Sequence, residues 1–205
     1  MSSSENVDFM RRIEEGYQAA SGYRSRAHYK IFYGQVKPAK VLTLGINPGG
    51  DPTKISDDGT TSSDGSIASA SASFFENDEH DVIDCEWKEN YGLRKLILPI
   101  IGNSIEQFRS DVVKTNLAFR RSVKKSHIDM RRAIDEASPF LHEILHRVNP
   151  EVVLLTGAPI EHFNRCHAKS VSWIVEPEVH PKVHQVIFAA TESVLSESER
   201  KVTVV

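Results

Sequence analysis

The apolar run "KVLTLGI" at residues 40–46 constrains the fold of this chain more than any other segment. Its apolar residues follow one another almost without interruption, which is typical of a strand buried on both faces of a parallel sheet. The run leads into "NPGGDP" at residues 47–52, where glycine and proline bend the backbone around the amide of Asn47. The segment therefore predicts a buried strand and a tight turn, in which Asn47 either caps its own backbone or faces a ligand.

Three other apolar runs resemble this strand, and segments with helical periodicity separate them. The runs are "DVVKTNLAF", "PEVVLLTG" and "HQVIFAAT", with "SVSWIVEPEV" as an extra strand candidate before the last one. Helical spacing of apolar residues is present at residues 1–22, 93–100, 129–149 and 158–167. The alternation of strand and helix predicts an α/β fold, with a parallel sheet that helices cover on both faces.

Composition is that of an ordinary folded protein. With 205 residues, of which 40% are hydrophobic and 26% charged, we expect a single domain over residues 1–205. The formal net charge of −3 lacks the basic balance of many nucleic-acid binders, although a local basic face is sufficient for such binding. No segment has the length and apolarity of a signal-peptide core or a membrane span, so we expect a cytoplasmic monomer without membrane contact.

The sequence gives little support for metal or redox chemistry. Cys85 and Cys166 are far apart and match no zinc or redox spacing, so we expect two reduced thiols. His142 and His146 have an i,i+4 spacing but lack the rest of a metalloprotease motif. We therefore expect no metal and no cofactor.

Residues 53–73, "TKISDDGTTSSDGSIASASAS", are almost entirely polar and small. Such a segment cannot bury enough apolar surface to pack, and we expect a long, mobile loop. Loops of this length inside a compact domain often lie over a functional site.

Polar side chains follow three of the predicted strands. Asn47, Asn116 and Thr191 each come directly after an apolar run. In open parallel sheets, sites form beyond the carboxyl ends of the strands, so we expect these three loops to meet at one edge.

These segments together resemble the uracil-DNA glycosylase superfamily. "VLTLGINPG" is similar to its first active-site motif in the mismatch-specific and thymine-DNA glycosylase branch, and "HYKIFYGQVKPAK" before it resembles the single-strand-selective branch. "VVKTNLAF" and "SPFLHEILHRVNPEVVLLTG" are similar to the following strand and helix–strand segments. The resemblance runs from about residue 23 to residue 196 in the same order. It implies a three-layer α/β/α fold with a central four-stranded parallel sheet.

The resemblance assigns base-facing roles to several residues. It implies that Asn47 orients the attacking water, that Ile46 and Asn116 contact the base, and that Phe75 stacks on it. An asparagine cannot act as a base, so we expect slow catalysis dominated by positioning. We expect Asp51 first to be an acidic residue of the loop. A role as a substitute base that activates water is the weaker alternative. As alternatives, Asn116 is a strand-end residue bonded to a neighbouring loop, and Phe74 and Phe75 are simple core residues.

The last motif of the family is altered in this chain. The residues at its position are "TESVLS", residues 191–196, where the family has His-Pro-Ser or Asn-Pro-Ser. The resemblance implies a catalytic role for Thr191, weaker than that of a histidine, and a repulsive charge at Glu192. The DNA contacts that it implies involve a glycine, two serines, a wedge leucine and two arginines, namely Gly49, Ser193, Ser196, Leu195, Arg120 and Arg121. The alternatives are that Leu195 folds onto the core and that Arg120 and Arg121 belong to a solvated run of charges.

Two functions follow from these residues. The first is a DNA glycosylase of base excision repair that hydrolyses the N-glycosidic bond of uracil, or of a related deaminated or mismatched base, flipped out of single- or double-stranded DNA. The second is a catalytically weakened or inactive member of the same fold that binds nucleic acid, a nucleotide or a protein. A phosphate-binding loop is the least favoured class, because "GINPGG" lacks both the Walker lysine and the dinucleotide glycine pattern.

Overall fold

A computed structural model describes residues 3–55, 57, 104–179, 186–196 and 199–205. Phe75, the predicted helix at residues 93–100 and most of the predicted loop at residues 53–73 lie outside the described residues. Within the ranges that are described, no helix is both long and apolar enough to cross a membrane.

The described strands form one mixed sheet, which confirms the α/β class. Its strand order is β2-β1-β3-β6-β5-β4, so the sheet has six strands rather than the four that the resemblance implied. The strands are β1 Val41–Gly45, β2 Val112–Asn116, β3 Val152–Thr156, β4 Ala168–Val179, β5 Val186–Leu195 and β6 Lys201–Val204.

The sheet has a parallel half and an antiparallel half. Strands β2, β1, β3 and β6 run in the same direction. Strand β5 runs against them, and β4, which is antiparallel to β5, runs in their direction again. The last predicted parallel strand, "HQVIFAAT", lies in β5 from Val186 onward, and β5 is antiparallel to both of its neighbours. The reason is that β4 and β5 pair with each other as a long hairpin, while the short β6 supplies the fourth parallel strand.

Among the described residues, four α-helices accompany these strands: α1 Ser3–Ser21, α2 Ile105–Asp111, α3 Met130–Val148 and α4 Ile160–His167. The helices predicted at residues 1–22, 129–149 and 158–167 are thereby confirmed. In α3 the Asp129 side chain caps the first turn by accepting from the Arg132 amide, and Asn149 ends the helix in the left-handed conformation at φ 54°. These are the ordinary start and stop signals of a helix.

The main core lies between α1, α3 and one face of the parallel strands. Leu42, Leu44 and Val153 project from β1 and β3 into this core, where they meet Ile134 and Ile144 of α3. All five side chains are at most 3% exposed. This packing fixes the parallel strands, and with them the loops at their carboxyl ends.

A partly buried ion pair attaches α1 to the chain that precedes β1. The Arg26 guanidinium donates two hydrogen bonds to the Glu14 carboxylate, at 2.6 and 2.8 Å, and the Tyr29 hydroxyl donates a third at 2.8 Å. The hydrogen bond to Glu14 raises the pKa of Arg26, and burial together with Glu14 raises that of Tyr29. The network holds Tyr29, whose backbone reaches the candidate site.

Candidate functional site

The carboxyl ends of β1 and β2 bring an amide side chain against a glycine. Gly45 and Asn116 are register partners at the last position of the two strands. Asn116 is 2% exposed, and its Nδ2 donates to the Tyr33 hydroxyl at 2.8 Å. Its Oδ1 lies 2.5 Å from the point that a β-carbon on Gly45 would occupy. Only glycine at position 45 therefore lets the Asn116 amide lie across the end of β1.

The turn after β1 is held by the side chain of Asn47. Its Nδ2 lies 2.9 Å from the Ser122 Oγ, 3.1 Å from the Pro48 carbonyl and 3.3 Å from the Arg120 carbonyl, and it can donate to all three. Among the described residues, every hydrogen bond of this side chain uses the nitrogen. Asn47 thus braces the turn, as one of the two readings of the sequence expected, and the orientation of its amide is fixed.

The same contacts tie the turn to the segment after β2. The amides of Leu117 and Ala118 donate to the carbonyls of Gly45 and Ile46 at 2.8 and 2.9 Å. Ile46 is half-buried beside them. The loops that carry Asn47 and Asn116 therefore form one unit at this edge, and this part of the predicted convergence is confirmed.

Arg121 is an internal clamp of this unit. It is 7% exposed, with its Nε donating to the Tyr29 carbonyl at 3.3 Å and an NH1 donating to the Gly49 carbonyl at 3.1 Å. The expectation that its guanidinium faces DNA is wrong as to placement, because the fold turns that group inward. Gly50 next to it has φ +109°, a conformation that favours glycine.

Arg120 and Gly49 remain at the surface of the unit. The Arg120 guanidinium stacks over the Tyr23 ring at 5.4 Å and is half-buried. Gly49 is exposed, and a β-carbon there would meet nothing within 4 Å. Lys124 lies further along the same segment and is also exposed. The segment after β2 therefore carries one half-buried and one exposed basic side chain.

Asp51 is a capping residue. Its carboxylate accepts from the Thr53 amide at 3.0 Å and from the Thr53 hydroxyl at 2.8 Å, at the start of a short 3-10 turn, Pro52–Lys54. These two hydrogen bonds lower the pKa of Asp51. A carboxylate with a lowered pKa is a poorer base, which favours the loop-acid reading.

Thr191 does not lie at this edge, and the prediction that it does is wrong. Thr191 is within β5, opposite Val204 of β6 and Trp173 of β4. Four strand spacings of roughly 4.8 Å separate β5 from β2, so Thr191 is about 19 Å from Asn116 across the sheet alone. The strand continues through Thr191 because its side chain is fully buried and its hydroxyl bonds to that of Ser193 at 3.0 Å.

The rest of the predicted last motif lies at the opposite edge of the sheet. Since β5 is antiparallel to β6, Ser193 and Leu195 approach the edge where the parallel strands begin. Ser193 is fully buried and donates to Asn164 at 2.9 Å, and Leu195 is 7% exposed within the core. Ser196 is exposed in the turn beyond them. The predicted leucine wedge is therefore a core side chain.

Sequence reasoning missed a tyrosine and two lysines beside Asn116. The ammonium groups of Lys30 and Lys114 lie 4.7 and 5.2 Å from the centroid of the Tyr33 ring. The same ring carries the hydroxyl that accepts from Asn116. The "VKTN" run placed Lys114 two residues before Asn116, on the same face of the strand, and that spacing was the available signal.

A concave region lies between α3 and α4, away from Asn47 and Asn116. The cavity has a volume of about 620 Å³, and the side chains around it include Asp135, His142, Arg165 and Cys166. Asp135 is paired with Arg165 at 2.8 Å, and burial raises the pKa of the Cys166 thiol. In the part of the chain that the structure describes, no three His, Cys, Asp or Glu side chains are grouped to hold a metal ion.

No protein-family model matches the chain, and a search of curated proteins gives no significant match.

Proposed function

We propose that the chain is a DNA glycosylase of the uracil or mismatch type, with its site at the carboxyl ends of β1 and β2. In this function, a base flipped out of DNA is held at Asn116 and its N-glycosidic bond is hydrolysed by water. Asn47 orients that water, and the basic segment after β2 approaches the phosphates.

The observation that carries the proposal is the fixed orientation of the Asn116 amide. A buried amide that is locked between the Tyr33 hydroxyl and Gly45 is suited to reading a pyrimidine edge, because it both donates and accepts hydrogen bonds. Locked polar groups discriminate ligands well, since a wrong ligand leaves them unpaired.

Asn47 supports the hydrolytic step through its amide oxygen, which is not used in the contacts that hold the turn. Its nitrogen is engaged with the turn, so its amide oxygen is the group that accepts a hydrogen bond from water. A neutral amide orients the water without removing its proton. The reaction is therefore expected to be slow and to depend on positioning.

Oligonucleotides that carry uracil, hypoxanthine, xanthine or a G·T mismatch test this function, as single strands and as duplexes. Strand cleavage by alkali after incubation reports excision by wild type, Asn47→Ala and Asn116→Ala. Ser122→Ala is the matched control, because it removes the 2.9 Å partner of Asn47 and leaves the amide in place. We expect excision by wild type, reduced excision by Ser122→Ala, and none by Asn47→Ala. Equal excision by all four proteins would refute the assignment.

A binding module without catalysis is the second candidate, and the position of Thr191 favours it. With residues 191–196 on another part of the sheet, the altered last motif contributes no group to Asn116. Binding of the same oligonucleotides, measured by fluorescence anisotropy, separates the candidates. Binding that depends on Asn116 without any excision at enzyme excess supports the second.

A further inference from the structure

Lys114 is a buried cation beside the proposed base-reading amide. It lies two residues before Asn116 in β2, and both side chains project from the same face of the strand. The rise of a strand places their α-carbons roughly 7 Å apart. Lys114 is 5% exposed and Asn116 is 2% exposed, so both polar groups lie within the protein rather than at its surface.

Tyr33 connects the two side chains. Its hydroxyl accepts from the Asn116 Nδ2 at 2.8 Å, and the Lys114 ammonium lies 5.2 Å from the centroid of its ring. A cation over a tyrosine ring is attracted to the ring face, so the ring keeps the charge close to the amide. Lys30 contacts the same ring from the loop before β1, with its ammonium 4.7 Å from the centroid.

We propose that Lys114, held by Tyr33, stabilises the negative charge that develops on the departing base. This inference rests on the proposed function. During hydrolysis the water oxygen bonds to the anomeric carbon, the carbon–nitrogen bond breaks, and its electron pair leaves on the base. The proton that the water loses passes to solvent. Lys114 keeps its own proton and acts through its charge, while Tyr33 is a positioning residue.

The electrostatic argument depends on burial. A unit charge acts more strongly on a neighbouring anion in a medium of low dielectric constant than in water. A preorganised group that faces developing charge lowers the barrier without having to reorganise. Lys114 thus stabilises the leaving base, a role that the resemblance implied for Thr191. It does so from β2, the strand that also carries Asn116.

Leaving groups of different acidity provide the first test. Single-turnover excision of uracil is compared with that of 5-fluorouracil, a more acidic and better leaving base, for wild type and Lys114→Met. We expect the substitution to slow uracil excision by about 100-fold, the typical cost of one charge-stabilising donor, and 5-fluorouracil excision distinctly less. An equal reduction for both bases would indicate a structural role and overturn the inference.

Two further variants separate charge from fold. Lys114→Arg retains the charge and is expected to keep the wild-type ratio of the two rates. Lys30→Met removes the other ammonium from the same ring and is expected to leave that ratio unchanged. A ratio altered as much by Lys30→Met as by Lys114→Met would assign the effect to the Tyr33 ring instead.

Binding of free bases is a test that needs no catalysis. Barbiturate is a planar pyrimidine that is anionic at neutral pH, whereas uracil is neutral. Isothermal calorimetry on the full chain should show tighter binding of barbiturate than of uracil, and Lys114→Met should remove this preference. Preference without excision would show that Lys114 favours an anionic base but would reject the glycosylase proposal, and with it a role of Lys114 in bond cleavage. No preference in wild type would overturn the inference even if excision is observed.

Discussion

The amide oxygen of Asn116 occupies the space that a side chain on Gly45 would fill, only 2.5 Å from the position of its β-carbon. The two residues are register partners, so neither can move without shifting the strand pair. Gly45 is therefore required for the position of a side chain on the next strand rather than for its own backbone conformation.

Gly45→Ala should for this reason damage the site more than the fold. The added methyl group displaces the Asn116 amide, and a displacement of about 1 Å at a reacting centre costs on the order of 100-fold in rate. Excision kinetics and a urea denaturation curve, measured on the same preparation, check this expectation. Gly49→Ala is the matched control, because its β-carbon meets nothing within 4 Å. Similar rates for the two variants would contradict the prediction.

Arg121→Met should destabilise the protein by about 3 kcal/mol, because one buried and one partly buried carbonyl lose a charged donor. Those carbonyls belong to Tyr29 and Gly49, so the turn after β1 should also loosen. Free energies of unfolding from urea titration measure the first effect, and hydrogen exchange at residues 46–50 measures the second. Arg120→Met is the control, since its stacking on Tyr23 contributes about 0.5–1 kcal/mol. The clamp assignment fails if both variants cost the same.

Acid should destabilise the fold through His167. This side chain is fully buried, its ring contacts those of His142 and Phe163 at 4.5 and 5.1 Å, and neither of its nitrogens has a hydrogen-bond partner among the described residues. Burial, followed by the charges of His142 and Arg165, lowers the pKa of His167 to about 3. His167 therefore takes up a proton near pH 6.5 in the unfolded chain, but only near pH 3 in the folded chain.

The sign of this effect follows from the lowered pKa in the folded state. The contribution of His167 to the free energy of unfolding is fully present above about pH 6.5. It is lost as the pH decreases toward 3, by up to about 1.4 kcal/mol per pH unit. Between pH 7 and pH 5, wild type should lose about 2 kcal/mol more than His167→Phe, which keeps a ring but does not titrate. Urea denaturation at the two pH values measures the difference. Parallel losses in both proteins would exclude His167 as the cause.

Substitutions in the altered last motif, residues 191–196, should leave the rate of base excision unchanged. Ser196 lies in the turn after β5, at the edge opposite to Asn116. Ser196→Ala is therefore expected to excise at the wild-type rate, whereas Asn116→Ala is expected to be inactive. Thr191→Val should lower stability by about 1 kcal/mol through the lost hydroxyl contact with Ser193, without changing the rate. A loss of excision in Ser196→Ala would place this turn back at the site.

The sequence predicted those parts of the fold where hydrophobic pattern and local signals agree. β1, β2 and β3 were found because their apolar runs are short and bounded by turns, and α3 because Asp129 and Asn149 mark its ends. Asn47 and Asn116 were brought together by the rule that carboxyl ends of parallel strands meet, and the structure confirms their proximity.

The errors arose where polar side chains are buried in a strand. Thr191 and Ser193 were expected in a loop because they follow an apolar run and align with the last motif of the family, but here each hydroxyl has a partner within the protein. Strand direction was also not encoded locally, since only pairing with β4 and β6 shows that β5 is antiparallel. The burial of Arg121 and Lys114 was also not predictable, because it depends on contacts with Gly49 and Tyr33, which are distant in the sequence.

The position of β6 has a consequence for the order in which the molecule assembles. In the strand order, β6 lies between β3 of the parallel half and β5 of the antiparallel hairpin, so the two halves of the sheet join through this four-residue strand. Its partners Val152 and Val153 are about fifty residues earlier in the chain, which makes the junction a slow, non-local contact. A chain that has formed α1, α3 and the first three strands therefore exposes an open sheet edge at β3 until β6 docks. An open edge of this kind presents unpaired backbone groups with which a strand of another chain can pair.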